Sequence, residues 1–178
     1  MTEKIRLATI WLDGCSGCHM SFLDIDQRML ELAEKVEIVY SPLVDAKEFP
    51  ENVDITLVEG ALGTDEDIQK IKKIRENTRL LVAFGDCAVT ANIPSMRNPF
   101  GADATLKKVY LEHESLNQQI PSEGVPALLP QALPLHQMVK VDLFVPGCPP
   151  SADTIFYTLS ELIEGRVPDL TTLSRFGA

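Results

Sequence analysis

Four cysteines are the residues in this 178-residue chain whose type and spacing best suit metal chemistry. Cys15 and Cys18 form a C-x-x-C pair, close enough in sequence to bind the same metal centre. Cys87 and Cys148 are single cysteines that lie far from the pair and from each other in the sequence. Thiolates are soft ligands that suit zinc or iron–sulfur clusters. The cysteines therefore predict either a metal ion or a cluster, provided that the fold brings all four together.

Three alternatives to an iron–sulfur cluster stay open at this point. A structural zinc site usually combines two C-x-x-C knuckles on short ribbons, and this chain has one such pair. A thioredoxin-like redox pair would use Cys15 and Cys18 but would leave the other two without a role. A free buried cysteine often serves only as a small hydrophobic side chain, which accounts for one cysteine better than for four in similar positions.

Each cysteine group follows a segment that is predicted to be a β-strand. Short runs rich in apolar and β-branched residues predict strands at 5–12, 36–40, 53–58, 79–84 and 139–145. Helical spacing predicts helices over 19–34, from Asp65 onward, and over 151–164 with Ser151 as N-cap. The first, fourth and fifth predicted strands lead directly into the cysteine loops.

Alternating strands and helices predict an α/β fold built from right-handed βαβ units around a parallel sheet. Five strands with this spacing suit a flavodoxin-like three-layer sandwich with strand order 2-1-3-4-5. Ligands of such sheets collect at the carboxyl ends of the strands, so the four thiols are expected to meet there. Residues 92–137 form a long, proline-rich irregular insertion before the last strand, interrupted by a helical stretch near 103–116. The length suits one domain over residues 1–178.

Composition limits the classes of partner. The formal net charge is −10, which argues against nucleic acid and anionic membrane surfaces, since both attract basic patches. No apolar run approaches the roughly 20 residues needed to span a bilayer. We expect a cytoplasmic protein in which thiols stay reduced, so two structural disulfides are not expected.

Several other residues lie close enough to the cysteines to influence a bound group. Glu59 ends the third predicted strand, where it either relays protons or caps backbone N–H groups of the first cysteine loop. His19 follows Cys18 and could hydrogen-bond a cluster sulfur or serve as a ligand in some state, but we favour a histidine at the helix N-terminus that faces solvent or a partner. Gly14 and Gly147 are expected to let the backbone approach, with N–H groups pointing at sulfur.

Three segments resemble those of nickel–iron hydrogenase small subunits. They are Trp-Leu-Asp-Gly-Cys-Ser-Gly-Cys-His-Met-Ser at 11–21, Phe-Gly-Asp-Cys-Ala at 84–88 and Val-Pro-Gly-Cys-Pro-Pro-Ser at 145–151. The resemblance implies that Cys15, Cys18, Cys87 and Cys148 bind one [4Fe–4S] cluster, proximal to a nickel–iron site held by a separate large subunit. This chain would then transfer electrons and contain no catalytic residue of its own.

The absence of a further cysteine after Cys148 makes the chain most similar to the short small subunits of cytoplasmic, NAD-reducing (bidirectional) hydrogenases. That resemblance implies a subunit of a hydrogen:NAD oxidoreductase, which passes electrons to a diaphorase module whose iron–sulfur and flavin subunits hold further clusters, FMN and NAD. FMN in this chain is not expected, because cysteines occupy the loop after the first strand.

The alternatives are a short small subunit of another cytoplasmic hydrogenase and the related 20 kDa iron–sulfur subunit of NADH:quinone oxidoreductase. The latter carries adjacent cysteines in its first motif. Here Ser16 and Gly17 separate Cys15 from Cys18, which favours the hydrogenase branch.

Overall fold

A parallel sheet of five strands forms the centre of the protein in a computed structural model that describes residues 4–114 and 116–174. Its strands are β1 (Ile5–Trp11), β2 (Val36–Tyr40), β3 (Val53–Glu59), β5 (Thr78–Phe84) and β7 (Leu143–Val145). They lie in the order β2-β1-β3-β5-β7. Because β5 and β7 are the fourth and fifth predicted strands, the expected order 2-1-3-4-5 is confirmed.

Helices cover both faces of this sheet and give the expected three layers. They are α1 (Gly17–Leu23), α2 (Met29–Lys35), α3 (Asp65–Glu76), α4 (Asp86–Thr90) and α6 (Ala152–Ile163). A sixth helix, α5 (Ala102–Lys107), contacts the strand at Leu128–Leu133 instead. Ser151 caps α6, since its side chain accepts a hydrogen bond from the backbone N–H of Thr154. No helix in the described part of the chain has both the length and the apolar character needed to cross a membrane.

The sheet separates two apolar cores because successive side chains of a strand point to opposite faces. On one face, Leu57 of β3 belongs to the cluster that contains Phe22 of α1, Leu32 of α2 and Ile155 of α6. On the other face, the neighbouring Val58 belongs to the cluster formed with α3 and α4. Buried on both faces, the central strands read as nearly continuous apolar runs, which is typical of parallel sheets.

The carboxyl ends of four strands lie in one row across the sheet. Trp11 of β1 is paired with Glu59 of β3, Glu59 with Phe84 of β5, and Phe84 with Val145 of β7. The cysteine loops leave from three of these four positions. Parallel pairing in this register therefore delivers the three loops to one edge of the sheet.

The helix expected over 19–34 is interrupted. Helix α1 ends at Leu23, and a short 3₁₀ turn at Asp26–Arg28 precedes α2. Asp26 has a φ of 56°, in the left-handed region that Asp tolerates better than most residues. Phe22 and Ile25, on either side of the end of α1, both enter the core at this break.

The insertion at 92–137 contains more regular structure than expected. Its strand β6 (Leu128–Leu133) pairs antiparallel with β4 (Leu62–Thr64) to form a small separate sheet. Pro130 breaks the strand pattern in the sequence, but a two-stranded ribbon tolerates proline on its outer side. The helical stretch is real: α5 continues as a π-helical segment, Lys108–Glu112.

The last strand is shorter than expected because a side chain replaces part of its backbone pairing. Asp142, just before β7, donates its N–H to the Leu81 carbonyl at 2.9 Å, and its carboxylate accepts the Leu81 N–H at 2.9 Å. The same carboxylate pairs with Arg75 of α3 at 2.5 Å. Asp142 thereby joins β7 to β5 and to α3.

We predict that Asp142→Asn lowers the free energy of unfolding at pH 7 by about 1–3 kcal/mol, the usual contribution of a hydrogen bond to a charged group. Burial raises the pKa of Asp142, but the Leu81 N–H and Arg75 lower it by more, so the net pKa lies below its ordinary value of 3.8. The folded state therefore binds the proton less tightly, and the stabilisation is present above pH 4 and is lost as pH falls through the lowered pKa. Urea unfolding of both forms at several pH values measures this, and a difference that stayed constant down to pH 2 would contradict it.

Candidate metal centre

The structure brings all four cysteines to one small cavity at the carboxyl edge of the sheet. Cys15, Cys18, Cys87 and Cys148 line a space of about 50 Å³. The remaining lining residues belong to the same loops or to the end of β3; they are Gly17, Glu59, Gly60, Asp86, Gly147 and Pro149. All four cysteines are free thiols. Among residues 4–114 and 116–174, no three His, Cys, Asp or Glu side chains converge closely enough to hold a single metal ion.

The first cysteine loop is shaped by its own backbone and by the loop after β3. Ser16 adopts a left-handed conformation with a φ of 67°, and α1 begins at the next residue. The Gly17 N–H donates to the Cys15 Sγ at 3.4 Å. Before the loop, Asp13 and Ala61 exchange backbone hydrogen bonds of 3.1 and 2.7 Å. With the left-handed turn at Ser16 between them, Cys15 and Cys18 both line the cavity.

Gly14 allows the first loop to pack against the end of β3. A Cβ atom at this position would lie 3.1 Å from the Gly60 Cα and 3.7 Å from the Glu59 Oε1. The expected close approach of the backbone at Gly14 is thus present, and it is made to protein rather than to sulfur.

The loops of Cys87 and Cys148 are joined by reciprocal hydrogen bonds. The Gly147 N–H donates to Asp86 Oδ1 at 2.7 Å, and the Asp86 N–H donates to the Gly147 carbonyl at 2.9 Å. The expectation that the Gly147 N–H points at sulfur is therefore wrong, because Asp86 takes that donor. The Ser21 hydroxyl of α1 donates to the Pro150 carbonyl at 2.6 Å and ties the first loop to the fourth cysteine.

Glu59 and His19 form a buried pair directly behind the first loop. The Glu59 carboxylate accepts the backbone N–H of His19 at 2.7 Å and contacts its Nδ1 at 2.5 Å. The side chains are almost inaccessible, with 2% of Glu59 and 5% of His19 exposed. The expectation that His19 faces solvent or a partner is wrong: the ring turns inward because a buried carboxylate needs hydrogen-bond donors.

This pair begins a chain of buried polar side chains that leads away from the cavity. His19 Nε2 contacts the Thr9 hydroxyl at 3.0 Å, and that hydroxyl donates to Ser41 Oγ at 2.8 Å. Ser41 Oγ then accepts the Leu43 N–H at 3.2 Å. Every buried polar side-chain atom in the described residues has a hydrogen-bond partner, so the chain is fully satisfied.

Two of the thiols that line the cavity, those of Cys18 and Cys87, favour their protonated form. Burial raises the pKa of Cys18, and the negative charges of Glu59 and the other cysteines raise it further. Burial also raises the pKa of Cys87, although the backbone N–H of Ile93 opposes the increase. Cations that bind here must displace these protons, because the thiolate is the form that coordinates metal.

Two contributors to the site were not found from the sequence. Ser21 bridges to the fourth cysteine loop, and Asn92 donates from its side-chain Nδ2 to the Cys148 Sγ at 3.6 Å. Ser21 ends the segment 11–21 quoted above, but nothing in that segment predicts its contact, and Asn92 lies outside the quoted segments, 56 positions away from Cys148. Their roles follow from the tertiary fold rather than from spacing in the sequence.

The sequence model of the family described as NADH ubiquinone oxidoreductase, 20 Kd subunit, matches residues 15–162 of this chain. The chain belongs to this family. The matched range contains all four cysteines and the whole edge of the sheet that they occupy.

Two relatives with clear sequence similarity to the chain are hydrogenase subunits. Subunit delta of the NAD-reducing hydrogenase HoxS of Cupriavidus necator is 40% identical, over 97% of this chain and 86% of the relative. A subunit of the vhu F420-non-reducing hydrogenase of Methanocaldococcus jannaschii is 38% identical, over 97% of this chain but 60% of the relative. The chain thus spans about three fifths of the length of the second relative.

A solved structure extends the similarity to three dimensions. The crystal structure of an NAD⁺-reducing [NiFe]-hydrogenase in the H₂-reduced state contains a chain that superposes with a TM-score of 0.93. Sequence identity is 40%, and the match covers 98% of this chain and 99% of that one. Within the 20 Kd subunit family, this member therefore resembles the two hydrogenase subunits in sequence, and the chain of the solved hydrogenase in both sequence and fold.

We predict that Glu59→Gln lowers the free energy of unfolding by about 1–2 kcal/mol, since hydrogen bonds to an ionised acceptor are roughly twice as strong as neutral ones. Glu59→Ala should cost about 3 kcal/mol or more, because it leaves the buried donors of His19 without an acceptor. Chemical denaturation of the purified chain measures both. Glu37→Gln, on the exposed part of β2, is the matched control and should change stability by less than about 0.5 kcal/mol. Equal stability of Glu59→Gln and the wild type would show that the buried charge contributes nothing.

Proposed function

We propose that this chain is the electron-transfer small subunit of a cytoplasmic nickel–iron hydrogenase and holds one [4Fe–4S] cluster on Cys15, Cys18, Cys87 and Cys148. Electrons would pass between a nickel–iron site in the large subunit and a diaphorase module that reduces NAD. The observation that carries the proposal is the single cavity lined by four free cysteines from three loops, in a chain 40% identical to a subunit of an NAD-reducing hydrogenase.

The residues around the cavity fit an iron–sulfur cluster. The candidate ligands are four soft cysteine sulfurs. The carboxylates of Glu59 and Asp86 also line the cavity, but they accept the backbone N–H groups of His19 and Gly147. One water needs about 10–15 Å³ of such space, so a cavity of about 50 Å³ suits a group larger than one bare ion. A cluster bound there supplies reversible one-electron chemistry.

The chain's own contribution is to place and stabilise that group. Cys18 lies in the first turn of α1 and Cys87 in the first turn of α4, where the helix dipole favours negative charge. The Gly17 N–H donates to the Cys15 Sγ, and the backbone N–H of Ile93 lowers the pKa of Cys87. These donors offset the cost of collecting thiolates beside Glu59, and no side chain of this chain forms or breaks a bond in the process.

A partner surface surrounds the cavity. Three large apolar side chains on the cysteine loops or next to them are exposed: Trp11 at 46%, Met20 at 60% and Ile93 at 59%. Such an apolar rim is typical of protein–protein interfaces. We assign this edge, together with the start of the insertion, to the large subunit, so that the cluster would lie next to the nickel–iron site after docking.

The second candidate is an iron–sulfur subunit of the quinone-oxidoreductase type, favoured by the description of the matching family. The C-x-x-C spacing of Cys15 and Cys18 and the similarity to hydrogenase subunits favour the first candidate. Purification of the tagged chain from its host separates the two: nickel in a complex with NAD-reducing activity supports the hydrogenase subunit. A membrane complex without nickel supports the quinone-linked one.

Cys148→Ala tests the proposed function. It should abolish hydrogen-dependent reduction of NAD by the purified complex, because one of four cluster ligands is missing, and should lower iron and acid-labile sulfide by about four atoms of each per complex. The diaphorase reaction, assayed as NADH oxidation by an artificial acceptor, should persist, since it uses other subunits. Unchanged hydrogen-dependent reduction would exclude Cys148 as a necessary ligand. One zinc per chain without brown colour in the wild type would exclude the cluster.

Gly85→Ala is predicted to reduce iron loading severalfold, because a Cβ atom at this position would overlap the Cys18 Sγ. Gly101→Ala provides a closely matched control. Gly85 and Gly101 have φ and ψ values of 84°, 161° and 81°, 162°, and each precedes a helix, but a Cβ atom at Gly101 meets nothing within 4 Å. Both variants suffer the same backbone strain of about 1–3 kcal/mol. Equal iron content of the two variants would show that contact with Cys18 is unimportant.

A further inference from the structure

We propose that the turn Ala91–Ile93, here called the donor turn, raises the reduction potential of the group held by the four cysteines, with Asn92 as the tuning residue. The inference rests on the proposed function, because it concerns the bound cluster. It adds a residue that lies outside the cysteine motifs and supplies no ligand.

The donor turn influences two different cysteines, one of them through a direct hydrogen bond. The Asn92 side-chain Nδ2 donates to the Cys148 Sγ at 3.6 Å, within the range for a bond to sulfur. The backbone N–H of the next residue, Ile93, lowers the pKa of Cys87 and so favours negative charge on that sulfur. One short segment thus serves sulfurs from the two loops that follow β5 and β7.

The backbone of the donor turn is held in an unusual conformation. Ala91 ends α4 with a φ of 63°, in the left-handed region that alanine rarely adopts, and it is 1% exposed. Its N–H donates to the Cys87 carbonyl at 2.9 Å, and its carbonyl accepts the Ser95 N–H at 2.9 Å. Strain that the surrounding structure maintains is often found where a side chain or N–H must be aimed at a functional group.

Asn92 itself is fixed on both sides. Its carbonyl accepts the Ser95 hydroxyl at 2.8 Å, and its N–H donates to Thr90 Oγ1 at 3.4 Å. The Thr90 hydroxyl in turn donates to the Asp86 carbonyl at 2.9 Å, at the start of α4. The backbone that carries the half-buried amide is therefore held in place, and from it the side chain reaches Cys148.

The sign of the effect follows from charge. Addition of one electron makes the cluster and its cysteine sulfurs more negative, and an N–H donor stabilises the more negative state. Asn92 gains and loses no proton in this step, and no bond is made or broken. Glu59, which lines the same cavity as a carboxylate, acts in the opposite direction. Because Cys148 is exposed, a protein donor also remains in place when a partner displaces water from this edge.

The test compares the midpoint potentials of the full chain and its variants, loaded anaerobically with iron and sulfide and titrated by absorbance and electron paramagnetic resonance. Asn92→Leu keeps the size and removes the donor. We expect its oxidised-to-reduced ratio at a fixed potential to rise about fivefold, or about 40 mV at 59 mV per tenfold change. Asn92→Asp places a negative charge at the same point and should lower the potential further.

Asn98→Leu is the matched control in the same segment. Asn98 exchanges hydrogen bonds of 2.9 and 2.8 Å with the backbone of Ala132 and contacts no cysteine in the described structure. This variant should lose stability without a change in potential. A purely structural role of Asn92 would give the same result for Asn92→Leu.

The outcomes separate the inference from the function on which it rests. A wild-type chain that takes up no iron and sulfide contradicts the proposed function. If all three proteins take up iron and sulfide and their midpoint potentials fall in the order wild type, Asn92→Leu, Asn92→Asp, the tuning role of the donor turn is supported. Equal potentials overturn the inference and leave the proposed function intact. Failure of both Asn92 variants to load, while Asn98→Leu loads, also overturns it, since Asn92 would then hold the cavity together rather than tune the group.

Discussion

The register of four parallel strands is the constraint on which the cysteine site depends. Trp11, Glu59, Phe84 and Val145 end their strands in one row, so loops that are far apart in sequence start about 5 Å from the end of the neighbouring strand. No cysteine needs to be close to another in sequence, because the hydrogen-bonded sheet sets the separation of the loops. A shift of one residue in any of these pairings would turn the side chains of that strand to the opposite face and move its loop. Such a shift would exchange the side chains that each strand contributes to the two apolar cores, so the packing of both cores opposes it.

Beyond the register, polar contacts between the loops set the shape of the cavity. Asp86 and Gly147 join two cysteine loops, while Ser21 and Pro150 join the first loop to the last. The Glu59 carboxylate accepts the backbone N–H of His19, the residue after Cys18. These bonds are made among buried groups, where an unpaired donor or acceptor is costly, so the loops are favoured in one arrangement before any metal binds. The raised pKa of Cys18 has the same origin as this rigidity, since burial that fixes the loop also disfavours a lone thiolate.

Features that depend on local residue patterns were predicted correctly from the sequence. Predictions failed where contacts between distant residues decide the structure. Strand order, the position of the cysteines at strand ends and the Ser151 cap follow from periodicity and from residue type. The inward turn of His19 does not, because a histidine after a cysteine has no preferred side until a carboxylate 40 positions away is buried beside it. Strand β6 was missed since Pro130 disrupts its pattern, and the start of β7 was overestimated because Asp142 replaces backbone pairing there. Asn92 carries no signal in the sequence at all.

The charges around the cavity explain why donors from outside the cysteine motifs are useful. With the proposed cluster bound, four thiolates beside the carboxylate of Glu59 would form a strongly negative group, and the first turns of α1 and α4 would offset part of that charge. Those helices have only seven and five residues, so neither provides a long macrodipole. Individual N–H groups must therefore supply much of the compensation, and they act at short range on particular sulfurs. Gly17 donates to Cys15 and Asn92 to Cys148, while the backbone N–H of Ile93 lowers the pKa of Cys87. The negative charge of Glu59 instead raises the pKa of Cys18, so the compensation is uneven. The donor turn would therefore stabilise the extra negative charge of the reduced cluster, whereas Glu59 would oppose that charge.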